Sequence, residues 1–278
     1  MGLGSSVALI TSLKAALPPS VKSLLRSARA AWRGHRTART VFSDIYENNS
    51  WGGPKDELFS GIGSRGDAAS AYVASVRALI AAQRIRSVVD LGCGDFHIGR
   101  QIAEVCERYI GVDVVPMVVE QNTAKFANDR VQFRCLDIID DALPHAELCL
   151  VRQVLQHLSN AQIRKVLRNI SAYELVILTE HYPPDDRVIA RNIDKVQGPD
   201  TRLNVGSAVY LADPPFSLSN LELLLEFKLP ATGDGSTEVY KTGVIRSYLW
   251  RPGSAAAIAS PPGARAAKSL SVRREESG

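Results

Sequence analysis

The chain has 278 residues, 45% of them hydrophobic, which is room for one α/β domain of about 200 residues plus extensions. Its net charge of +4 is uneven. Residues 1–40 hold seven lysines and arginines and no acid, and the remainder has 26 basic residues against 29 acidic ones, which excludes a nucleic-acid footprint on the main body. The four cysteines, Cys93, Cys106, Cys135 and Cys149, form no C-x-x-C pair; they read as free thiols of a reducing compartment and exclude a disulfide or zinc framework.

In chain order, Val7, Leu9, Ile10, Leu13 and Leu17, then Val21, Leu24 and Leu25, are spaced for two short basic amphipathic helices broken at Pro18-Pro19. No apolar run reaches the roughly 20 residues of a membrane span, and the positive charge lies within and after the apolar region rather than before it, unlike a signal peptide. The opening MGLGSS fits the myristoylation pattern loosely. Two readings stay open for this extension of residues 1–45: a mobile or packed arm, or an interfacial helix drawn to anionic lipid at an inner membrane surface. Residues 41–67 are rich in turn formers, with Trp51 before Gly52-Gly53 and a small-residue loop at Ser60-Gly61-Ile62-Gly63-Ser64. They form either a plain connection with a tryptophan over the core edge or a cap on a pocket. A helix over Ala68–Ala82 follows, with Tyr72, Val76, Leu79 and Ile80 on one face.

The run Val88–Arg100, VVDLGCGDFHIGR, predicts a buried strand, a tight glycine turn and a helix start. Gly92 and Gly94 let the backbone approach a ligand closely. The pattern is not the dinucleotide G-x-G-x-x-G, because Asp90 precedes the glycines and Gly99 comes two positions late. A carboxylate there repels phosphates and suits a cationic ligand. S-adenosylmethionine carries an ammonium and a sulfonium and no phosphate.

The run D-L-G-C-G resembles the first motif of the class I S-adenosylmethionine-dependent methyltransferases. Later segments match in order. Tyr109–Val112 reads as a second strand ending in Asp113, placed like the acid that holds ribose hydroxyls; the plain alternative is a surface acid at a strand end. Val131–Leu136 is a third strand ending in Asp137, and Glu147–Arg152 a fourth leading into Gln153-Val154-Leu155-Gln156-His157-Leu158. The resemblance implies a Rossmann-like α/β fold, a doubly wound, mostly parallel sheet of about seven strands with an antiparallel last strand. It implies cofactor contacts from Asp90, Gly92, Gly94, Asp113, Val114, Asp137, Ile138 and Arg152, with Asp137 on the adenine amino group and Ile138 over the ring. By the same resemblance the methyltransferase domain covers residues 46–252.

Leu175–Leu178 is the fifth strand, followed by Thr179-Glu180-His181-Tyr182. About 35 irregular residues come next, over the carboxyl ends of the strands where ligands bind. Trp51-Gly52 with S-G-x-G-S, then Asn192-Ile193-Asp194, Arg202-Leu203-Asn204 and Pro214-Pro215-Phe216, resemble a bacterial methyltransferase group associated with polysaccharide and surface-glycan synthesis. That resemblance implies a sugar hydroxyl as acceptor, with Trp51, Arg202 and Asn204 as candidate acceptor contacts. A sugar hydroxyl needs a general base; the candidates are His181, Asp194 and His157, with His157 alternatively a packing residue beside the cofactor. Arg202 suits an acidic or phosphorylated sugar, or a loop-bracing ion pair. Leu221–Leu225 and Gly243–Trp250 read as the closing hairpin, with a turn at Ala231–Gly235, and residues 253–278 read as a disordered tail. No compact His/carboxylate cluster suggests a metal. The expectation is a cytoplasmic O-methyltransferase of a glycan or small hydroxyl compound. Two others stand beside it: an RNA or protein methyltransferase using the basic arm, and a noncatalytic S-adenosylmethionine-binding subunit.

Overall fold

A computed structural model describes residues 32–54, 57–229 and 242–253, with the single positions 18 and 21. The paired amphipathic helices expected before position 32, the Ala231–Gly235 turn and the tail after position 253 lie outside the described residues.

Seven strands form one sheet in the order β3-β2-β1-β4-β5-β7-β6. They are β1 (Ser87–Leu91), β2 (Arg108–Asp113), β3 (Val131–Cys135), β4 (Leu148–Arg152), β5 (Leu175–Tyr182), β6 (Leu221–Lys228) and β7 (Val244–Trp250). Strands β1 to β5 pair in parallel, and β7 runs antiparallel to both β5 and β6, so β7 alone opposes the rest. The chain leaves β1 toward β2 and β3, then returns to β4 on the other side. This reversal opens a crevice at the carboxyl ends of β1 and β4, where doubly wound sheets bind ligands.

Among the described residues, helices α1 (Ala38–Glu47), α2 (Gly66–Gln83), α3 (Gly99–Ala103), α4 (Pro116–Phe126) and α5 (Asn160–Ile170) cover the sheet. β1 is buried along its whole length, so its apolar residues Val88, Val89 and Leu91 fall on both faces instead of alternating with exposed ones. Its side chains divide between two cores: Val89 and Leu91 pack with Ile163, Val166, Leu167 and Ile170 of α5, while Val88 packs with Tyr72, Val76 and Ile80 of α2. Helix α5 begins at a capping box, in which Ser159 and Gln162 satisfy each other's backbone N–H groups.

Four boundaries differ from expectation, the first being β6, which continues past Leu225 to Lys228 opposite β7. β5 runs four residues further, to Tyr182, because its end pairs with Val244 and Ile245 of β7. The helix after the glycine turn is only five residues long. Helix α1, capped by Thr37, buries Ala38, Val41 and Ile45, so the packed unit begins before position 46. All four cysteines are free thiols. Among the described residues no helix is long and apolar enough to cross a membrane.

Candidate active site

A cavity of about 740 Å³ opens at the carboxyl ends of β1, β2, β4 and β5. The glycine turn forms its floor. Gly92 (φ +79°) and Gly94 (φ +53°) lie in the left-handed region, and a Cβ at either would run into Val154 or Ser60 respectively. The amides of Gly92 and Cys93 donate to the Val112 carbonyl, at 2.8 and 3.0 Å, which folds the turn over the end of β2.

Three carboxylates stand at successive strand ends. Asp90 accepts a 2.5 Å hydrogen bond from the Tyr109 hydroxyl. Asp113 accepts from the amides of Gly94 and Val115, each at 3.1 Å. Asp137 accepts from Ile139 N at 2.9 Å. Burial pushes Asp90 and Asp113 each up to about 6, against the Tyr109 bond and the Arg152 charge at Asp90 and against the backbone bonds at Asp113. Arg152 at the end of β4 donates to the Gly63 carbonyl at 2.7 Å and lies 5.1 Å from the Tyr72 ring centroid, while its Nε has no hydrogen-bond partner among the described residues. All eight residues expected to contact the cofactor line this one cavity. Glycine cradle, buried acids and orphaned guanidinium nitrogen together fit a ligand that carries a cationic amine, hydroxyls and a carboxylate, as S-adenosylmethionine does.

The pH dependence has a definite sign. Both raised aspartates hold protons in the fold at pH values where the unfolded chain has lost them. Their contribution to stability is therefore full below about pH 4 and is lost as pH rises through about 6. A cationic ligand requires the ionised forms. Its affinity is expected to be flat above about pH 7 and to weaken about tenfold or more between pH 7 and pH 5, as titration calorimetry across that range would show.

The loop after Trp51 straps over the turn. Arg65 forms an ion pair with Asp95 at 2.8 Å, Ser60 N donates to Asp95 Oδ2 at 3.2 Å, and Asp95 N donates to Ser60 Oγ at 2.7 Å. Tyr46 of α1 reaches the Ser60 hydroxyl at 2.9 Å. The small-residue loop was visible in the sequence, but its partner Asp95, 35 residues on, was not.

Of the acceptor-side candidates, Trp51, His157 and His181 line the cavity, and Asp194, Arg202 and Asn204 do not. Asp194 is exposed, and its carboxylate accepts from the amide of Asn160 at the start of α5 and from that of its neighbour Lys195. Arg202 is fully buried; it donates to the carbonyls of Ile193, Leu155, Gln156 and Leu158 and to Asn160 Oδ1. It is thus a brace for the turn after β4, with no hydrogen left for an acidic sugar. Asn204 is exposed on the 3-10 turn Arg202–Val205. Asn192 pins the irregular segment, donating to Tyr210 O and Pro214 O and accepting from Tyr210 N. The N-x-D and P-P-F elements therefore meet in loop architecture.

The two cavity histidines differ. His181 Nε2 lies 2.7 Å from the Thr242 carbonyl, which only accepts, so that nitrogen carries the hydrogen and Nδ1 keeps its lone pair. His157 Nδ1 faces the Gly198 carbonyl at 3.2 Å, and its Nε2 faces the Gln156 amide at 3.5 Å. Burial lowers both, His157 to about 4, so both rings are neutral at pH 7. Glu180, for which the sequence carried no signal, is buried beneath the same turn. It accepts from Leu155 N and Gln156 N at 3.0 and 3.2 Å, and burial pushes it up to about 8. Among the described residues no group of three or more His, Cys, Asp or Glu side chains is placed to hold a metal ion.

Residues 88–173 match the family described as a methyltransferase domain. No curated protein matches the chain. Solved structures similar to it include human N-acetylserotonin methyltransferase in complex with S-adenosylmethionine, at 16% identity and a TM-score of 0.44 over 82% of this chain and 65% of that one. The chain thus spans just under two thirds of the human enzyme. The N-methyltransferase NodS from Bradyrhizobium japonicum WM9, in complex with S-adenosyl-L-homocysteine, is similar at 13% identity and a TM-score of 0.49, over 75% of this chain and 99% of that one. Magnesium protoporphyrin IX methyltransferase from Synechocystis PCC 6803 is similar at 13% identity and a TM-score of 0.46, over 76% and 99%.

Proposed function

We propose that this class I enzyme, which uses S-adenosylmethionine through the methyltransferase domain at its centre, methylates a hydroxyl group of a sugar or glycan. When bound, the cofactor supplies an electrophilic methyl group on its sulfonium. Asp90 would take the ammonium, Asp113 the ribose hydroxyls, and Asp137 with Val114 and Ile138 the adenine.

The observation that carries the hydroxyl reading is His181. A sugar hydroxyl is a weak acid, so its proton must pass to a base as the oxygen becomes nucleophilic. His181 is neutral, its Nε2–H is oriented by the Thr242 carbonyl, and Nδ1 retains a lone pair in a ring that lines the cavity. This is the arrangement of a base held in one tautomer by a second group. The remaining chain residues orient the reactants and exclude water. Two residues of the basic arm are engaged within the fold, Arg33 with Asp200 and Arg36 with Asp44, which weakens the arm as a handle for nucleic acid. The free thiols support a cytoplasmic location.

Replacing His181 by glutamine is expected to lower kcat by about 10²–10³ while S-adenosylmethionine affinity stays within about twofold. Because burial holds the ring's pKa below its ordinary value, kcat at saturating S-adenosylmethionine should fall only on the acid side of neutrality. That acid limb should vanish in the variant. An unchanged kcat in His181→Gln, on any hydroxyl acceptor that the native chain methylates, would remove the histidine from the reaction.

A further inference from the structure

Around the turn after β4, three polar atoms are buried without a hydrogen-bond partner among the described residues: Trp51 Nε1, Gln156 Oε1 and Thr201 Oγ1. All three residues line the cavity, and Gln156 and Thr201 are each only 7% exposed. Buried polar groups are nearly always paired, so several orphans on one cavity point to a ligand that completes them. Their surroundings are aromatic. The Trp51 ring lies 5.4 Å from His157 and 5.1 Å edge-on from Tyr46, and Phe42 stands 6.5 Å from His157.

Charge narrows the class of ligand. Six aspartates line the cavity, against two arginines. Arg65 pairs with Asp95, and Arg152 bonds the Gly63 carbonyl and keeps only its Nε unpaired. Lys195, nearby, donates to the His157 carbonyl, and Arg202 is occupied by backbone. An anionic group entering beside Trp51 would meet carboxylates, and the one lining cation with an unpaired nitrogen, Arg152, is the one that fits the cofactor's carboxylate.

We propose that Trp51, Gln156 and Thr201 form an acceptor subsite for an electrically neutral, polyhydroxylated ring. The apolar face of the ring stacks on the Trp51 indole. One hydroxyl donates to Gln156 Oε1, another pairs with Thr201 Oγ1, and a third accepts from Trp51 Nε1–H. The proposal rests on the methyl-transfer reading above and narrows it: uronic and phosphorylated sugars are excluded as the ring held here.

The test is calorimetric titration of the full chain saturated with S-adenosylhomocysteine, using the methyl glycosides of glucose, galactose and mannose, the matching uronates, and methyl glucosaminide. At least one neutral glycoside should bind about tenfold or more tightly than its uronate. Thr201→Val and Gln156→Leu should each weaken that binding about tenfold, and Trp51→Phe, which keeps the packing and loses the N–H, by less. Affinity for S-adenosylhomocysteine should stay within about twofold in all three variants, which separates a damaged fold from a lost contact. A uronate or the amino sugar binding best, variants without effect, or a chain that binds S-adenosylhomocysteine but no neutral glycoside would each overturn the subsite. Failure to bind S-adenosylhomocysteine would overturn the cofactor reading beneath it and the subsite with it.

Discussion

Asp113→Ala is expected to weaken S-adenosylmethionine binding by about a hundredfold or more in isothermal titration against the native chain. The carboxylate does two things at once. It would accept from the cofactor's ribose hydroxyls, each such charge-assisted bond being worth about 1.5–3 kcal/mol. It also holds Gly94 N and Val115 N at 3.1 Å, so its loss leaves the turn that shapes the cradle with two amides to satisfy elsewhere. Two such bonds already amount to about two orders of magnitude in Kd. Asp113→Asn, which keeps one acceptor oxygen and the shape, should fall between the two. Native-like binding by the alanine variant would place the ribose elsewhere. No binding by the native chain would remove the cofactor assignment altogether.

Arg202→Met is expected to cost about 3–5 kcal/mol of stability, measured as a shift of the denaturant midpoint at unchanged slope. The guanidinium satisfies four backbone carbonyls and the Asn160 side chain, with distances from 2.8 to 3.3 Å. Methionine fills much of the volume but leaves those acceptors unpaired. Against a total of about 5–15 kcal/mol for a typical protein, the loss is large. In Glu180→Gln with Arg202→Met the two costs should be less than additive, because both side chains hold the same Leu155-Gln156 turn, one through its amides and the other through its carbonyls. A loss under about 1 kcal/mol would mean that the turn after β4 holds itself.

What was legible in the sequence is what local chemistry decides. Apolar runs ending in Asp90 and Asp113, and the alternating run before Asp137, announce parallel strands with acids at one edge, and the fold brings those acids to one cavity. Long-range pairing was not legible. Arg202 looks the same on paper whether it meets a sugar carboxylate or, as here, carbonyls more than 40 residues away. Asp194 reads as a base until Asn160, 34 residues earlier, is seen to donate to it. The length of β5, and therefore the placement of His181 within a strand, depends on β7, and nothing near position 181 encodes that pairing.

The stacking face of the cavity has a consequence for how such a protein can be retargeted. Phe42, Tyr46 and Trp51 precede α2, whereas the side chains of the cradle lie between positions 90 and 152. The proposed stacking ring and the cradle thus occupy separate lengths of chain, joined at a seam made by Ser60 and Arg65 against Asp95. A graft that exchanges the stretch from α1 to that seam, and keeps these three residues, would change which ring is stacked and leave the methyl source untouched.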